Sequence, residues 1–324
     1  MKLNDEQVKS LFKGTVEFQN ENGWISPRRF SKEIVDFFST TDERRRLRSY
    51  VMSGITMEFT TNSDFFSFQY ECFQASGSHH YYFDVYIGGL FVHHIGNHNV
   101  SVDNRNFRID FKKGNKKVAI YFSNFFGFKI KNVEISDNAK IKPIKKDKKF
   151  LFYGDSITQG HSSEFPSFTF SNIVSRAFDA QCINKGIGGD YYYHQFLDEK
   201  PVNKPDAIIV AFGTNDWSFG KDIKKNSTDF YDKLTKIYPD VKIFTLLPLW
   251  RGKDGDKNVI TFDEMREILI NVCKNYKNIT LIDAIDFIPH DANFFLPDLL
   301  HPNTMGFRMY GENLVNALKP YLED

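Results

Sequence analysis

The chain has 324 residues, 41% hydrophobic and 26% charged, which is ordinary globular composition and enough length for roughly two domains. Its 42 basic and 41 acidic residues leave a net charge of +1, so no bulk field draws it toward nucleic acid or an anionic membrane. Three widely spaced cysteines, no secretory signal pattern and no apolar run near the ~20 residues of a membrane span lead us to expect a cytoplasmic protein.

From Phe12 to about Ser136 the sequence predicts short strands separated by turn signals such as Gly88-Gly89. Only Ser39–Tyr50 indicates a short charged helix or a solvated loop. The predicted strands are Gly54–Thr60, Phe65–Phe73, Tyr81–Ile87, Phe107–Phe111, Val118–Phe122 and Phe128–Ile135. Many short strands with little helix predict a β-sandwich or jelly roll over residues 1–140. The 34 Phe and 15 Tyr fit core packing, with a sugar-stacking surface as the alternative.

A basic segment, Lys140–Lys149, follows this strand-rich half. No aromatic residues interleave with its lysines, as nucleic-acid binding would favour. We therefore interpret it as a solvated connector between two domains, with a patch for an anionic partner as the alternative.

After the connector, apolar strand-like runs alternate with helical stretches. The predicted strands are Phe150–Tyr153, Gln181–Asn184, Ala207–Phe212, Lys242–Leu247 and Thr280–Ile285. The predicted helices are Phe168–Phe178, Asn226–Ile237, Phe262–Tyr276 and a last one from Thr304 to about Tyr321. This alternation predicts an α/β domain over residues 148–324, with a five-stranded parallel sheet covered by helices on both faces.

A serine follows the first of these buried strands, in Gly154-Asp155-Ser156. A nucleophilic serine needs a base and a group that orients the base. His301 is the candidate base, and Asp298, three positions earlier, can accept the Nδ1 hydrogen of His301 through one local turn. Nε2 of the imidazole would then take the proton of Ser156.

Two other strand ends offer donors for an oxyanion. The glycine-rich loop that contains Gly189 follows the second strand, and its backbone can approach a ligand closely. Asn215 follows the third strand, and its side-chain amide can donate a hydrogen bond. Because parallel strands end at the same edge of a sheet, we expect Ser156, Gly189 and Asn215 at one edge.

Aromatic residues flank these positions and are candidate substrate-binding residues. Trp217 lies two positions after Asn215, Tyr191 two positions after Gly189, and Trp250 near the end of the fourth strand. The histidine pairs His79-His80 and His93-His94 invite a metal interpretation, but adjacent strand residues point to opposite faces. We therefore expect them to pack at the surface or between domains, and we predict no metal site.

The second half resembles the SGNH (GDSL-type) hydrolase family in four sequence blocks that occur in order. These blocks are Gly154-Asp155-Ser156, Gly188-Gly189-Asp190, Gly213-Thr214-Asn215-Asp216 and Asp298-Leu299-Leu300-His301. The resemblance implies a three-layer αβα, flavodoxin-like domain. It also implies Ser156 as nucleophile, His301 as base, Asp298 as orienting acid, and an oxyanion hole from the amides of Ser156 and Gly189 and the Asn215 side chain. Thr158 stands where the Gly-x-Ser-x-Gly elbow needs its second glycine, which disfavours the α/β-hydrolase fold.

A β-rich domain ahead of such a domain resembles the two-domain carbohydrate esterases of family two. That resemblance implies removal of acetyl groups from carbohydrates, with a small-molecule or oligosaccharide ester as substrate, no cofactor, and neither nucleic acid nor membrane as partner. Histidine in that family can be oriented without a side-chain acid, so Asp298 is either a full triad member or partly redundant. The alternatives are a general short-chain, aryl or lysophospholipid esterase, and a non-catalytic carbohydrate-binding protein.

Overall fold

The computed structural model describes residues 1–253 and 259–323, which form two compact units. The first unit consists of Met1–Ser31, Val35–Lys146 and Glu164–Ser167. The second consists of Lys32–Ile34, Asp147–Ser163 and the chain from Phe168 onward. The chain therefore returns to the first unit for four residues after it has entered the second.

The first unit is built mainly from antiparallel strands. They are β1 (Phe12–Lys13), β2 (Glu17–Glu21), β3 (Trp24–Arg28), β4 (Thr56–Thr61), β5 (Phe65–Gln74), β6 (Tyr81–Ile87), β7 (Leu90–Asn97), β8 (Val102–Asp110), β9 (Lys116–Tyr121), β10 (Phe126–Ile135) and β11 (Ile141–Pro143). One sheet has the order β1-β4-β9-β6-β7 with β11 beside β4, and the other has the order β2-β3-β10-β5-β8. The predicted β-sandwich is confirmed.

Aromatic side chains from both sheets form the core of this unit. Phe68 on β5 stacks on Phe107 of β8 with ring centroids 4.5 Å apart, and Phe83 on β6 of the other sheet lies 5.1 Å from Phe107. Along β5, Phe66, Phe68 and Tyr70 are buried while the residues between them are partly exposed. Burial of these rings on folding accounts for much of the high phenylalanine content.

The interpretation of Lys140–Lys149 as a solvated connector holds for the exposed residues Lys140, Lys142, Lys145 and Lys148, but it is wrong for Lys146 and for the strand pairing of the segment. Ile141–Pro143 is strand β11, which pairs with β4. The side chain of Lys146 is only 7% exposed, and its Nζ lies 2.8 Å from Oε1 of the buried Glu58. The carboxylate gives this lysine a partner inside the fold, so a run of lysines is not solvated throughout.

The helical prediction for Ser39–Tyr50 covers parts of two helices. The helices of this part of the chain are α1 (Asp5–Leu11), α2 (Lys32–Thr41) and α3 (Glu43–Ser49). Asp42 separates the last two, and its side chain accepts a hydrogen bond from the amide of Arg45, which caps α3.

One of the paired histidines has a buried partner in the first unit. His94 Nδ1 lies 2.7 Å from Oδ1 of Asp84, a fully buried carboxylate. The other oxygen of Asp84 accepts hydrogen bonds from Ser167, 2.8 Å from its amide and 2.6 Å from its hydroxyl. Within the described ranges, no group of three or more His, Cys, Asp or Glu side chains could hold a metal ion.

The second unit alternates strands with helices. The strands are β12 (Lys148–Gly154), β13 (Ala180–Asn184), β14 (Ala207–Ala211), β15 (Lys242–Leu247) and β16 (Ile279–Asp283). The helices are α4 (Ser156–Gln159), α5 (Phe170–Ala177), α6 (Thr214–Ser218), α7 (Ile223–Ile237), α8 (Phe262–Cys273) and α9 (Thr304–Leu322), with 3-10 turns at Pro166–Phe168, His194–Asp198 and Ala292–Phe294.

The five strands of the second unit pair in parallel in the order β13-β12-β14-β15-β16. This is the flavodoxin-like order, and the predicted five-stranded parallel sheet is confirmed. In such sheets, ligands bind outside the carboxyl ends of the strands, where the strand order reverses. Here that point lies at the ends of β12, β13 and β14. Over the described part of the chain, no helix is long and apolar enough to cross a bilayer.

Candidate active site

Ser156 is the first residue of α4, directly after the central strand β12. Asp155 caps this short helix, because its Oδ1 accepts a hydrogen bond of 2.9 Å from the amide of Ile157. A Cβ added to Gly154 would lie 2.0 Å from Thr158 Oγ1 and 2.7 Å from the carbonyl oxygen of Ala211. Only glycine fits at this tight strand-to-helix turn, which places the serine at the carboxyl edge of the sheet.

Ser156, His301 and Asp298 form a hydrogen-bonded chain. Ser156 Oγ lies 2.8 Å from His301 Nε2, and His301 Nδ1 lies 2.6 Å from Asp298 Oδ2. A carboxylate can only accept, so Nδ1 carries the hydrogen in this arrangement. Nε2 of the neutral ring is then the acceptor for the Ser156 hydroxyl.

A tight turn brings the carboxylate and the imidazole together. Asp298 Oδ1 accepts hydrogen bonds from the amides of Leu300 and His301, at 2.9 and 3.0 Å. Leu299 between them has a positive φ of 51°. Burial raises the pKa of Asp298, but the hydrogen bonds from His301 and the two amides outweigh it and hold the pKa well below its usual range. Asp298 is therefore a carboxylate at neutral pH.

The loop that contains Gly189 packs against α4. The amide of Ile187 donates to the carbonyl oxygen of Gly154 at 3.0 Å, and the amide of Gly188 donates to the Gln159 side chain at 2.9 Å. Gly186 has no room for a side chain, since a Cβ there would lie 2.4 Å from the amide nitrogen of Gln159. These contacts hold the glycine loop close to the start of α4.

Two backbone amides at this edge have no acceptor within residues 1–253 and 259–323. They belong to Ser156 and to Gly189, whose positive φ of 74° suits glycine. Asn215, in the first turn of α6, is buried with 6% of its surface exposed, and its Nδ2 donates to the carbonyl oxygen of Asp190 at 2.8 Å. An amide nitrogen carries two hydrogens, so the Asn215 side chain retains a second donor.

Two further buried carboxyl groups belong to this edge, and no sequence motif predicts a role for them. Burial raises the pKa of Asp155 to about 6, although the Ile157 amide and His301 lower it. Burial raises the pKa of Asp216 to about 7, although hydrogen bonds from the Tyr192 amide and the Asn226 side chain lower it. Asp216 thus fixes the backbone of the tyrosine segment that follows Gly189.

The three aromatic candidates for substrate binding differ in placement. Trp217 is only 3% exposed, its indole N–H donates to the carbonyl oxygen of Ile260 at 2.6 Å, and its ring packs against Phe262. Its ring is therefore a packing element, because burial leaves no face open for a sugar. Tyr191 and Trp250 are half-buried. Trp250 stacks on His290, with ring centroids 5.0 Å apart and an interplanar angle of 11°.

Trp250 also lines a small cavity of about 30 Å³, whose lining includes the sequence neighbours of Ser156 but not Ser156 itself. Several lining residues are sequence neighbours of the site: Asp155 and Ile157 flank Ser156, and Thr214 precedes Asn215. The rest of the lining is mainly apolar and comes from β14, the end of β15, Leu300 and α9. Sequence patterns do not reveal this cavity, because its lining residues are far apart along the chain.

A second histidine lies beside His301. The ring of His161 is edge-to-face with the ring of His301, with centroids 4.8 Å apart. The His161 amide donates to the carbonyl oxygen of Ser156 at 2.8 Å, and Ser162 after it has a positive φ of 84°. In the sequence, the only indication that His161 lies near the site is its position directly after Gly160, which ends α4.

Residues 152–309 match the model of the GDSL-like lipase/acylhydrolase family. The comparison with curated protein sequences finds no match.

Three solved structures illustrate the likeness in fold. A salicylyl-acyltransferase from a tetracycline biosynthetic pathway is 19% identical, with a TM-score of 0.83 over 97% of this chain and 96% of its own. A family two carbohydrate esterase from Clostridium thermocellum in complex with cellohexaose is 16% identical, with a TM-score of 0.65 over 84% and 94%. An acetyl xylan esterase from the rumen bacterium Butyrivibrio proteoclasticus is 15% identical, with a TM-score of 0.62 over 84% and 92%.

Proposed function

We propose that this chain, in which residues 152–309 match the model of the GDSL-like lipase/acylhydrolase family, is a serine esterase that removes acetyl groups from carbohydrates. The observation that carries this proposal is the chain of hydrogen bonds from Ser156 Oγ through His301 to Asp298, at 2.8 and 2.6 Å. A base already bonded to the hydroxyl, and itself oriented by a carboxylate, is the arrangement that activates a serine.

In the first half of the reaction, Ser156 Oγ forms a bond to the ester carbonyl carbon while its proton moves to His301 Nε2. The carbonyl oxygen becomes an oxyanion, which the amides of Ser156 and Gly189 and the second hydrogen of Asn215 Nδ2 can stabilise. Asp298 stabilises the imidazolium that forms. The carbon–oxygen bond to the alcohol then breaks, and the alcohol leaves with the proton from Nε2.

In the second half, water attacks the acyl-enzyme and loses a proton to His301 Nε2. The bond between the acyl carbon and Ser156 Oγ breaks, the carboxylic acid leaves, and Oγ regains its proton. Each step uses side chains and amides of this chain.

We place the acyl group in the small cavity lined by Asp155 and Ile157, which flank Ser156 in sequence. Its volume of about 30 Å³ is two to three times the ~10–15 Å³ that one water-sized probe occupies. A methyl group fits in such a space, whereas a long acyl chain does not. The likeness in fold to a family two carbohydrate esterase and an acetyl xylan esterase supports a carbohydrate as the alcohol.

The experiment compares wild type with Ser156→Ala on p-nitrophenyl acetate, butyrate and octanoate, and on acetylated xylo- and manno-oligosaccharides. We expect hydrolysis of the acetyl esters and a loss of about 10³-fold or more in Ser156→Ala. Ser175→Ala is the matched control, because this buried hydroxyl lies in α5 and has no hydrogen-bond partner within the described residues. If wild type hydrolyses no ester, the proposal of an esterase is refuted. If it prefers octanoate, only the proposal that it removes acetyl groups is refuted.

A further inference from the structure

A groove of about 390 Å³ lies on the first unit, along the sheet β2-β3-β10-β5-β8. This volume falls within the roughly 300–1,000 Å³ of small-molecule sites. The side chains of Cys72 and Phe128 belong to the buried core, whereas their neighbours Glu71, Phe73 and Lys129 are at least partly exposed. The groove therefore lies on the face of this sheet that points away from the core.

Phe73 forms a flat aromatic surface at one end of the groove. It lies opposite Gly127 on β10 and Val102 on β8. A Cβ added to Gly127 would lie 2.6 Å from Cζ of Phe73, so the phenylalanine ring occupies the place of the missing side chain. The ring thus lies across the neighbouring strand and stays 37% exposed. Tyr50 meets it edge-on, with centroids 5.8 Å apart.

Trp24 supplies a second aromatic ring, and the ammonium groups of two lysines lie over it. The ammonium groups of Lys131 and Lys129 lie 4.1 and 5.0 Å from its ring centroid. Trp24 pairs with Glu21 on β2, so carboxylate and ammonium groups both border this ring. An apolar surface with donors and acceptors around it is the combination that binds amphipathic ligands.

The charged groups that line the groove carry no net charge. Arg28 and Lys129 carry positive charges, and Glu21 and Glu71 carry negative ones. Lys129 Nζ lies 2.6 Å from Glu71 Oε2, and Arg28 Nη2 donates to the Gln19 side chain at 2.8 Å. A phosphate or sulfate group would meet both carboxylates, and a purely apolar ligand would bury all four charges at a cost. The lining therefore favours a neutral ligand that has many hydroxyl groups.

We propose that this groove is an oligosaccharide-binding site for a neutral chain of pyranose units. A pyranose ring offers an apolar face of C–H groups and a rim of hydroxyls. The exposed ring of Phe73 matches the apolar face, while Glu71, Gln19 and the lysines over Trp24 match the rim. This site is separate from the proposed esterase chemistry and does not depend on it, because none of its residues takes part in acyl transfer.

The test measures binding of xylohexaose, mannohexaose and cellohexaose, which carry no ester group, to the full chain by isothermal titration calorimetry. We expect at least one of the three to bind. Trp24→Ala and Phe73→Ala should each weaken that binding at least tenfold, and Trp24→Phe should restore part of it. Phe91→Ala is the matched control, because Phe91 is 40% exposed in the same unit but lies on the other sheet.

Activity on p-nitrophenyl acetate separates this site from the esterase. Trp24→Ala and Phe73→Ala, made in the wild-type background, should keep wild-type activity on this small ester, which also shows that they fold. The proposal is overturned if none of the three oligosaccharides binds, or if binding survives both aromatic substitutions. Retained binding in Trp24→Ala alone would remove that residue from the site, and a preference for sulfated over neutral oligosaccharides would contradict the ligand class.

Discussion

Replacing Asp298 by asparagine tests whether this carboxylate is needed to orient the base. The new side chain would keep an oxygen for the amides of Leu300 and His301, so the turn should survive. Its NH₂ group would face the Nδ1 hydrogen of His301 in place of Oδ2, and the neutral ring would then favour a hydrogen on Nε2. That tautomer cannot accept the proton of Ser156.

The expected loss follows from the strength of the bond that is removed. A hydrogen bond to a charged group contributes about 1.5–3 kcal/mol. Since about 1.4 kcal/mol corresponds to a factor of ten, kcat/KM should fall about 10- to 100-fold. The side chain of Asp298 is 45% exposed, and water can replace part of its interaction, so the loss should stay below that of the base itself. His301→Ala should cost about 10³- to 10⁴-fold.

The assay is kcat/KM on p-nitrophenyl acetate for Asp298→Asn, His301→Ala and the double variant. Because Asp298 acts through His301, the double variant should be no worse than His301→Ala alone. Asp291→Asn is the matched control, since Asp291 caps the nearby 3-10 turn and asparagine caps equally well. Wild-type activity in Asp298→Asn would show that the acid is redundant, and a further large loss in the double variant would refute its action through the histidine.

Three other predictions concern the cavity, the turn at the serine and a buried acid. Leu249→Ala should enlarge the cavity and raise the butyrate-to-acetate ratio of kcat/KM about tenfold, and an unchanged ratio would mean that the acyl group binds elsewhere. Gly154→Ala should lower the melting temperature by several degrees, because its Cβ would overlap Thr158 Oγ1; an unchanged melting temperature would contradict the tight turn. The raised pKa of Asp216, about 7 against 3.8, means that the folded protein holds a proton which the unfolded chain releases, so stability falls as pH rises from about 4 to about 7. Asp216→Asn should therefore show a smaller fall in melting temperature between about pH 4 and about pH 8, and an equal fall would argue against burial of this charge.

The parallel sheet could be predicted because its strands are short, continuous apolar runs. Lys242–Leu247 was predicted with the observed bounds, and Ala207–Ala211 to within one residue. The edge strands β2 and β7 were missed, since most of their side chains are exposed and show no alternation of apolar and polar residues. Lys146 was misassigned because its partner Glu58 is far away in sequence.

The candidate site residues could be predicted where a reactive side chain or a glycine loop directly follows the end of a predicted strand. Ser156, Gly189 and Asn215 each follow one of the parallel strands, and the turn from Asp298 to His301 is local. Trp217 is different, because the direction of its side chain depends on how the short helix α6 packs, which sequence spacing does not reveal. The small cavity was not predictable for a similar reason, since its wall joins residues from β14, β15 and α9.

The return of Glu164–Ser167 to the first unit limits how the two units can be separated genetically. A cut before Asp147 would leave those four residues on the fragment with the serine, while Asp84, which accepts two hydrogen bonds from Ser167, would go with the other fragment. A clean exchange of the first unit between relatives therefore needs five junctions: one before Asp147, one at each end of Glu164–Ser167, and one at each end of Lys32–Ile34, which belongs to the second unit. A chimera joined only before Asp147 would combine Asp84 from one relative with Ser167 from another, so the hydrogen bonds to this buried carboxylate would not be matched.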